Sequence, residues 1–129
     1  MNCYVFGNSL IKEDSLPLKI IDRLRSIFPE IIFITVDPNE DFPPKDEKKL
    51  LIIDTIINIK KPSVFTIDDL EKVKKTPVSP HDYDLLFHLF LAKKLGKIES
   101  AQIIGLPNQI SQDEAVKQTS ILLKKIIAT

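Results

Sequence analysis

The stretch "CYVFGNSLIKEDSLPLKIIDRLRSIF", residues 3–28, decides how the chain is read. Cys3, Tyr4, Val5 and Phe6 form a short apolar run of strand type, and Gly7-Asn8 ends it. From Ser15 to Phe28 apolar residues recur at helical spacing, with Leu16, Ile20, Ile21, Leu24, Ile27 and Phe28 on one side. Pro17 fits only the first turn of such a helix. Strand, loop and helix in this order predict an α/β chain, and the rest of the sequence continues the alternation.

"PEIIFITVD" (29–37) and "KKLLIIDTI" (48–56) are nearly continuous apolar runs, the pattern of strands covered on both faces. The prolines and charges of "DPNEDFPPKDEK" between them mark a surface loop. "TIDD" at 66–69 has capping-box spacing and predicts a short helix over 67–75. "SPHD" at 79–82 offers Ser79 as N-cap and Pro80 at the first helical position, with Asp82 in the third. That helix runs to about Leu95 and stops at Gly96. "SAQIIGL" is a further strand, and "SQDE" at 111–114 reads as a full capping box for a last helix. Residues 58–65, "NIKKPSVF", predict a short edge strand. The fold class is α/β: a three-layer α/β/α sandwich around a mostly parallel sheet, phosphorylase/hydrolase-like, in one domain over residues 1–129. The helix through "LLFHLFLA" is apolar nearly all round, which favours burial over an interface.

The composition is that of an ordinary globular protein: 129 residues, 43% hydrophobic and 28% charged. Eighteen basic residues balance eighteen acidic ones, so no global field draws in nucleic acid or an anionic membrane. The lone cysteine, Cys3, cannot form an internal disulfide, and its place in a strand predicts a buried structural thiol. "MNCYVFGNSL" lacks the basic and apolar regions of a signal peptide, and no apolar run reaches membrane-spanning length. The expected location is cytoplasmic.

In a parallel α/β sheet, ligands bind outside the carboxyl ends of the strands. Three groups are expected there. Asp14 closes the loop after the first strand, Asp54 ends the "LLIID" run, and His81 opens the "SPHD" helix. Two carboxylates and an imidazole suit a divalent metal with open positions left for water or a carbonyl. A carboxylate in an apolar strand is costly unless paired or ligating, which singles out Asp54. A helix N-terminus disfavours imidazolium and keeps His81 neutral, as a ligand must be. His88, about 10 Å further along the helix, is too distant to share the ion. Each residue also has a plainer reading: Asp14 as a helix cap, Asp54 in a turn or salt bridge, His81 as an incidental first-turn residue. No G-x-G-x-x-G, P-loop or G-x-S-x-G pattern is present, so the common nucleotide and serine-hydrolase templates are excluded.

The order of these motifs resembles the hydrogenase maturation proteases. "FGNSLIKEDSLPLKIIDRL" is similar to that family's opening G-x-G-N-x-L-x-x-D-[DE], and "LLIIDTI" to its strand ending in Asp. "SPHDYDLLFHLFLAKKLG" resembles its S-x-H helix, and "AQIIGLPNQIS" its late strand and turn. The resemblance implies a nickel-dependent endopeptidase that removes the C-terminal extension of a [NiFe]-hydrogenase large-subunit precursor. Asp14, Asp54 and His81 would be its metal-contacting and catalytic residues. The Ni²⁺ would arrive with the precursor, Cd²⁺ or Zn²⁺ serving as substitutes, and a carboxylate or a water would attack the peptide carbonyl. The chain departs from the family pattern where Val5 or Phe6 replaces a first glycine. It departs again in "VDPNEDFPPKD" (36–46), which lacks the family's Asp-Gly-Gly-Thr-like loop. A non-catalytic relative, acting as a binding or chaperone-like module, is the alternative those departures leave open. A third is an unrelated small-molecule α/β enzyme.

Overall fold

Parallel strands covered on both faces need apolar side chains at every position, and the run at 49–55 becomes such a strand. The run at 32–36, expected to do the same, lies at the edge of the sheet with Ile32 and Thr35 exposed. The computed structural model describes residues 1–7, 10, 14–36, 42–72 and 85–129. Along them run β1 (Asn2–Phe6), α1 (Leu16–Ile27), β2 (Ile32–Val36), β3 (Lys49–Thr55) and β4 (Ser63–Thr66). These are followed by α2 (Ile67–Lys72), α3 (Leu85–Lys94), β5 (Ser100–Leu106) and α4 (Gln112–Ala128). The sheet order is β2-β1-β3-β5-β4, with β4 alone antiparallel, so the predicted edge strand forms and the sheet is mostly parallel.

Strand alternation divides the core into two layers. Cys3, Val5, Leu51, Ile53, Ile104 and Leu106 point to one face, where α1 and α4 cover them with Ile20, Leu24, Val116 and Leu123. Tyr4, Phe6, Leu50, Ile52 and Ile103 point to the other, beneath Ile67 of α2 and Leu85, Leu89 and Ala92 of α3. This is the three-layer sandwich predicted. Phe42 adds edge-on ring contacts to Tyr4 and Phe6, with centroids 5.4 and 5.1 Å apart. Arg23 bridges α1 to Asp113 in the first turn of α4 at 2.8 Å, but both side chains are largely solvated, so the pair adds little.

The helix ends follow from local chemistry. Thr66 and Asp69 make a reciprocal capping box, Asp69 N donating to Thr66 Oγ1 (3.1 Å) and Thr66 N to Asp69 Oδ2 (2.9 Å). At the end of α3, Gly96 takes φ +75°, Lys97 N donates to Ala92 O (2.9 Å) and Gly96 N to Lys93 O (3.1 Å), a Schellman motif. Ser111 caps α4 by accepting from Glu114 N at 3.1 Å. The Glu114 carboxylate, expected to complete that box, accepts from Gln118 Nε2 at 2.6 Å.

Two expectations need correction. Asp14 is not the cap of α1: the N-cap residue is Ser15, and its side chain makes no capping bond. The helix α3 is not buried all round, since Phe87 and Leu91 are 60% and 43% exposed. One helix lying on a sheet presents a single side to it, and the apolar residues at other angles meet solvent. The predicted start of that helix, with Ser79, Pro80, His81 and Asp82, lies outside the described residues.

Candidate active site

Asp54 occupies the penultimate position of β3 and is 1% exposed. Leu50 and Ile52 precede it on the face that α2 and α3 cover, so alternation sends its carboxylate to that same face. Thr55 N donates to Asp54 Oδ1 at 2.8 Å, which holds the carboxylate against the strand end. Thr55 is itself fully buried on the opposite face, and its hydroxyl has no hydrogen-bond partner among the described residues.

Asp14 lies in the turn before α1 and is fully buried. Its carbonyl oxygen comes so near Gly7 that a Cβ there would sit 3.0 Å from it. The missing side chain of Gly7 therefore lets the loop return to the strand it has just left. Tyr4 and Val5 of β1 stand beside Ile52 and Ile53 of β3. One step further in that register puts Phe6 beside Asp54 and Gly7 beside Thr55. Two buried carboxylates thus stand at the carboxyl ends of neighbouring strands, where a parallel sheet binds its ligands.

His81, the third predicted member, lies outside the described residues. The helix that follows it does run in the required direction. Lys48 Nζ donates to Gly96 O and Lys97 O (3.3 Å each), which fixes the C-terminal end of α3 at the amino edge of β3. Leu85, at the other end of α3, therefore faces the carboxyl edge, and it is buried in the cluster that contains Phe6. His88 is exposed, as expected of a residue outside the site. Cys3 is buried, and burial pushes its thiol up to about 12, the behaviour of a structural cysteine. Among the described residues no group of three His, Cys, Asp or Glu is placed to hold a metal.

Of the three donors expected from the sequence, Asp14 and Asp54 are described, and both offer the carboxylate oxygens that a divalent ion accepts.

No family model matches the sequence, and no curated protein matches it. By structure the chain is similar to a [NiFe] hydrogenase maturation protease, HycI, from Thermococcus kodakarensis KOD1. The match covers 99% of this chain and 92% of that one at 16% identity, with a TM-score of 0.58. The two chains share one fold. The resemblance carried by the sequence motifs is thereby met at the level of the architecture. No helix among the described residues is long and apolar enough to cross a membrane.

A further feature escaped the sequence reading. The loops after β3 and β5, residues 57–60 and 107–109, enclose a groove of about 560 Å³ at the same edge of the sheet. Its only signal in the sequence is a concentration of carboxamides, Asn58, Asn108 and Gln109, just beyond two strand ends.

Proposed function

We propose that this protein is a maturation endopeptidase that removes the C-terminal extension of a [NiFe]-hydrogenase large-subunit precursor. One observation carries the reading: Asp14 and Asp54 are both buried at the carboxyl ends of adjacent strands, in a fold shared with a protease of that class. A buried carboxylate is retained against its desolvation cost when it has chemistry to perform.

The nickel belongs to the precursor and enters with it. Asp14 and Asp54 would hold it from the sheet side and His81 from the segment before α3, so that the adjoining peptide lies along the carboxyl edge. Bound there, the ion supplies Lewis acidity to the scissile carbonyl. The protein's own part is positional. The Thr55 N–H fixes the Asp54 carboxylate, and the loop folded onto Gly7 fixes Asp14. Phe6 and Leu85 are buried on the face of the sheet to which Asp54 points.

The test is cleavage of a nickel-loaded large-subunit precursor followed by mass spectrometry. Wild-type protein is expected to release a C-terminal peptide, and Asp14→Asn, Asp54→Asn and His81→Ala are each expected to abolish release. A parallel titration with Ni²⁺, or with Cd²⁺ or Zn²⁺ in its place, should show one site weakened in all three variants. Cleavage that survives Asp54→Asn would remove the reading.

A further inference from the structure

Beyond the paired carboxylates, the groove at residues 57–60 and 107–109 has a composition that its place in the fold does not require. It opens where β3 and β5 end, three residues after Asp54 and two after its register partner Gly105. At no more than ~3.3 Å per residue, that sets its start within about 10 Å of the Asp54 backbone. Its volume of about 560 Å³ lies in the ~300–1,000 Å³ range of sites that enclose a ligand of a few residues.

The lining is chemically one-sided. It contains one cation, Lys60, and no acidic residue. Among the described residues no carboxylate pairs with Lys60, and the carboxamides of Asn58, Asn108 and Gln109 are engaged in no hydrogen bond. Each carboxamide offers a donor and an acceptor, the same pair that a peptide group presents. Asn58 holds φ +68°, a left-handed conformation that asparagine tolerates better than most residues. With no glycine-rich turn and a single lysine, the groove is poorly made for a polyphosphate. It is well made for an extended backbone bearing one negative charge.

We propose that this groove binds an extended peptide, with an anionic group of the peptide seated against Lys60. It rests on the endopeptidase reading only for the identity of that peptide: the extension on the leaving side of the scissile bond. The anion is a carboxylate, supplied either by an acidic side chain or by the peptide's own C-terminus.

The probe is the N-acetylated hexapeptide Ala-Ala-Ser-Ala-Ala-Glu, titrated into the ¹⁵N-labelled full chain without metal. The side-chain amide resonances of Asn58, Asn108 and Gln109 are expected to shift together. Lys60→Gln should weaken binding roughly three- to tenfold, the range of one solvent-facing charge-assisted contact. Lys61→Gln, beside the groove, should leave affinity unchanged. Loss on amidating the C-terminus assigns the anion to the terminal carboxylate, and loss on replacing Glu by Gln assigns it to the side chain. Loss in neither peptide, equal loss in Lys60→Gln and Lys61→Gln, or no shift of the three amides up to about 10 mM peptide overturns the proposal. A protein that binds the peptide yet cleaves no precursor contradicts the endopeptidase reading alone. One that cleaves a precursor without binding the peptide contradicts the groove alone.

Discussion

Asp54 on β3 stands in register with Gly105 on β5, and the space a side chain would take at Gly105 is occupied by its neighbours. A methyl group there would lie 2.6 Å from Ile56 Cγ1 and 2.9 Å from Phe65 Cε2. Ile56 cannot simply withdraw, because its N–H donates to Leu106 O at 2.9 Å. The glycine thus lets apolar side chains close over the strand end beside the carboxylate. Gly105→Ala is expected to cost about 1–3 kcal/mol, the range for forced overpacking. Urea unfolding measures it, and truncating Ile56 to Ala, which removes the Cγ1 that the methyl would strike, should cost less in the Gly105→Ala chain than in the wild type. An additive double variant would mean that Ile56 is not what the methyl strikes.

Gly7 does for Asp14 what Gly105 does for Asp54. A Cβ on Gly7 would meet Asp14 O at 3.0 Å and Leu18 Cγ at 3.1 Å. These contacts are tight rather than impossible, so Gly7→Ala should fold and lose about 1 kcal/mol, the low end of overpacking. Its informative effect is on metal binding. Moving the Asp14 backbone by a few tenths of an ångström should weaken Ni²⁺ binding while the far-UV circular dichroism stays native. Unchanged affinity would detach Asp14 from the ion.

The parts of this structure legible in the sequence are those in which one residue type answers one physical demand. "KKLLIIDTI" could be read as a doubly covered strand because burial on both faces leaves no room for polar alternation. Gly96 and the Thr66/Asp69 pair announced their helix ends because a left-handed turn and orphan N–H groups admit few solutions. Asp54 stood out for the same reason, as an acid in an apolar run. What sequence could not supply was which side of an element meets a neighbour. The exposed Phe87 and Leu91 look no different in sequence from the buried Leu85 and Leu89. Asp14 suits a helix cap as well as any other role in sequence, and only the backbone shows that Ser15 takes the cap position. The groove between the β3 and β5 loops joins segments some fifty residues apart, a closeness that no local pattern encodes.

Cys3 is fully buried between β1 neighbours, and desolvation pushes its thiol up to about 12. The thiolate is the reactive form, so the native protein should resist iodoacetamide at pH 8 and be modified rapidly once unfolded in guanidinium chloride. Mass spectrometry after timed quenching measures both rates. Native alkylation approaching the unfolded rate would mean that β1 opens far more readily than its burial allows.

Tyr4 gives the chain a pH dependence with a definite sign. Burial, reinforced by the hydrogen bond to Glu47, pushes its phenol up from the ordinary 10 to about 12. The folded state therefore holds its proton where the unfolded chain has lost it. The stabilisation is complete below pH 10 and is lost as pH rises from 10 to about 12. Tyr4→Phe removes the donor to Glu47 Oε1 (2.7 Å) but leaves that oxygen its bond from Asn2 Nδ2 (2.6 Å). Since the acceptor is not orphaned, the variant should lose only about 0.5–1.5 kcal/mol at pH 7. The gap between wild type and variant should then close as pH rises through the window, because the variant has no phenol to ionise. Cys3 titrates over a neighbouring range, from about 9 to 12, so the comparison belongs in a Cys3→Ala background. Urea unfolding at pH 7, 9.5 and 11.5 in the two chains measures the gap directly. If both chains lose stability in parallel between pH 10 and 12, Tyr4 is not the group whose proton the fold retains.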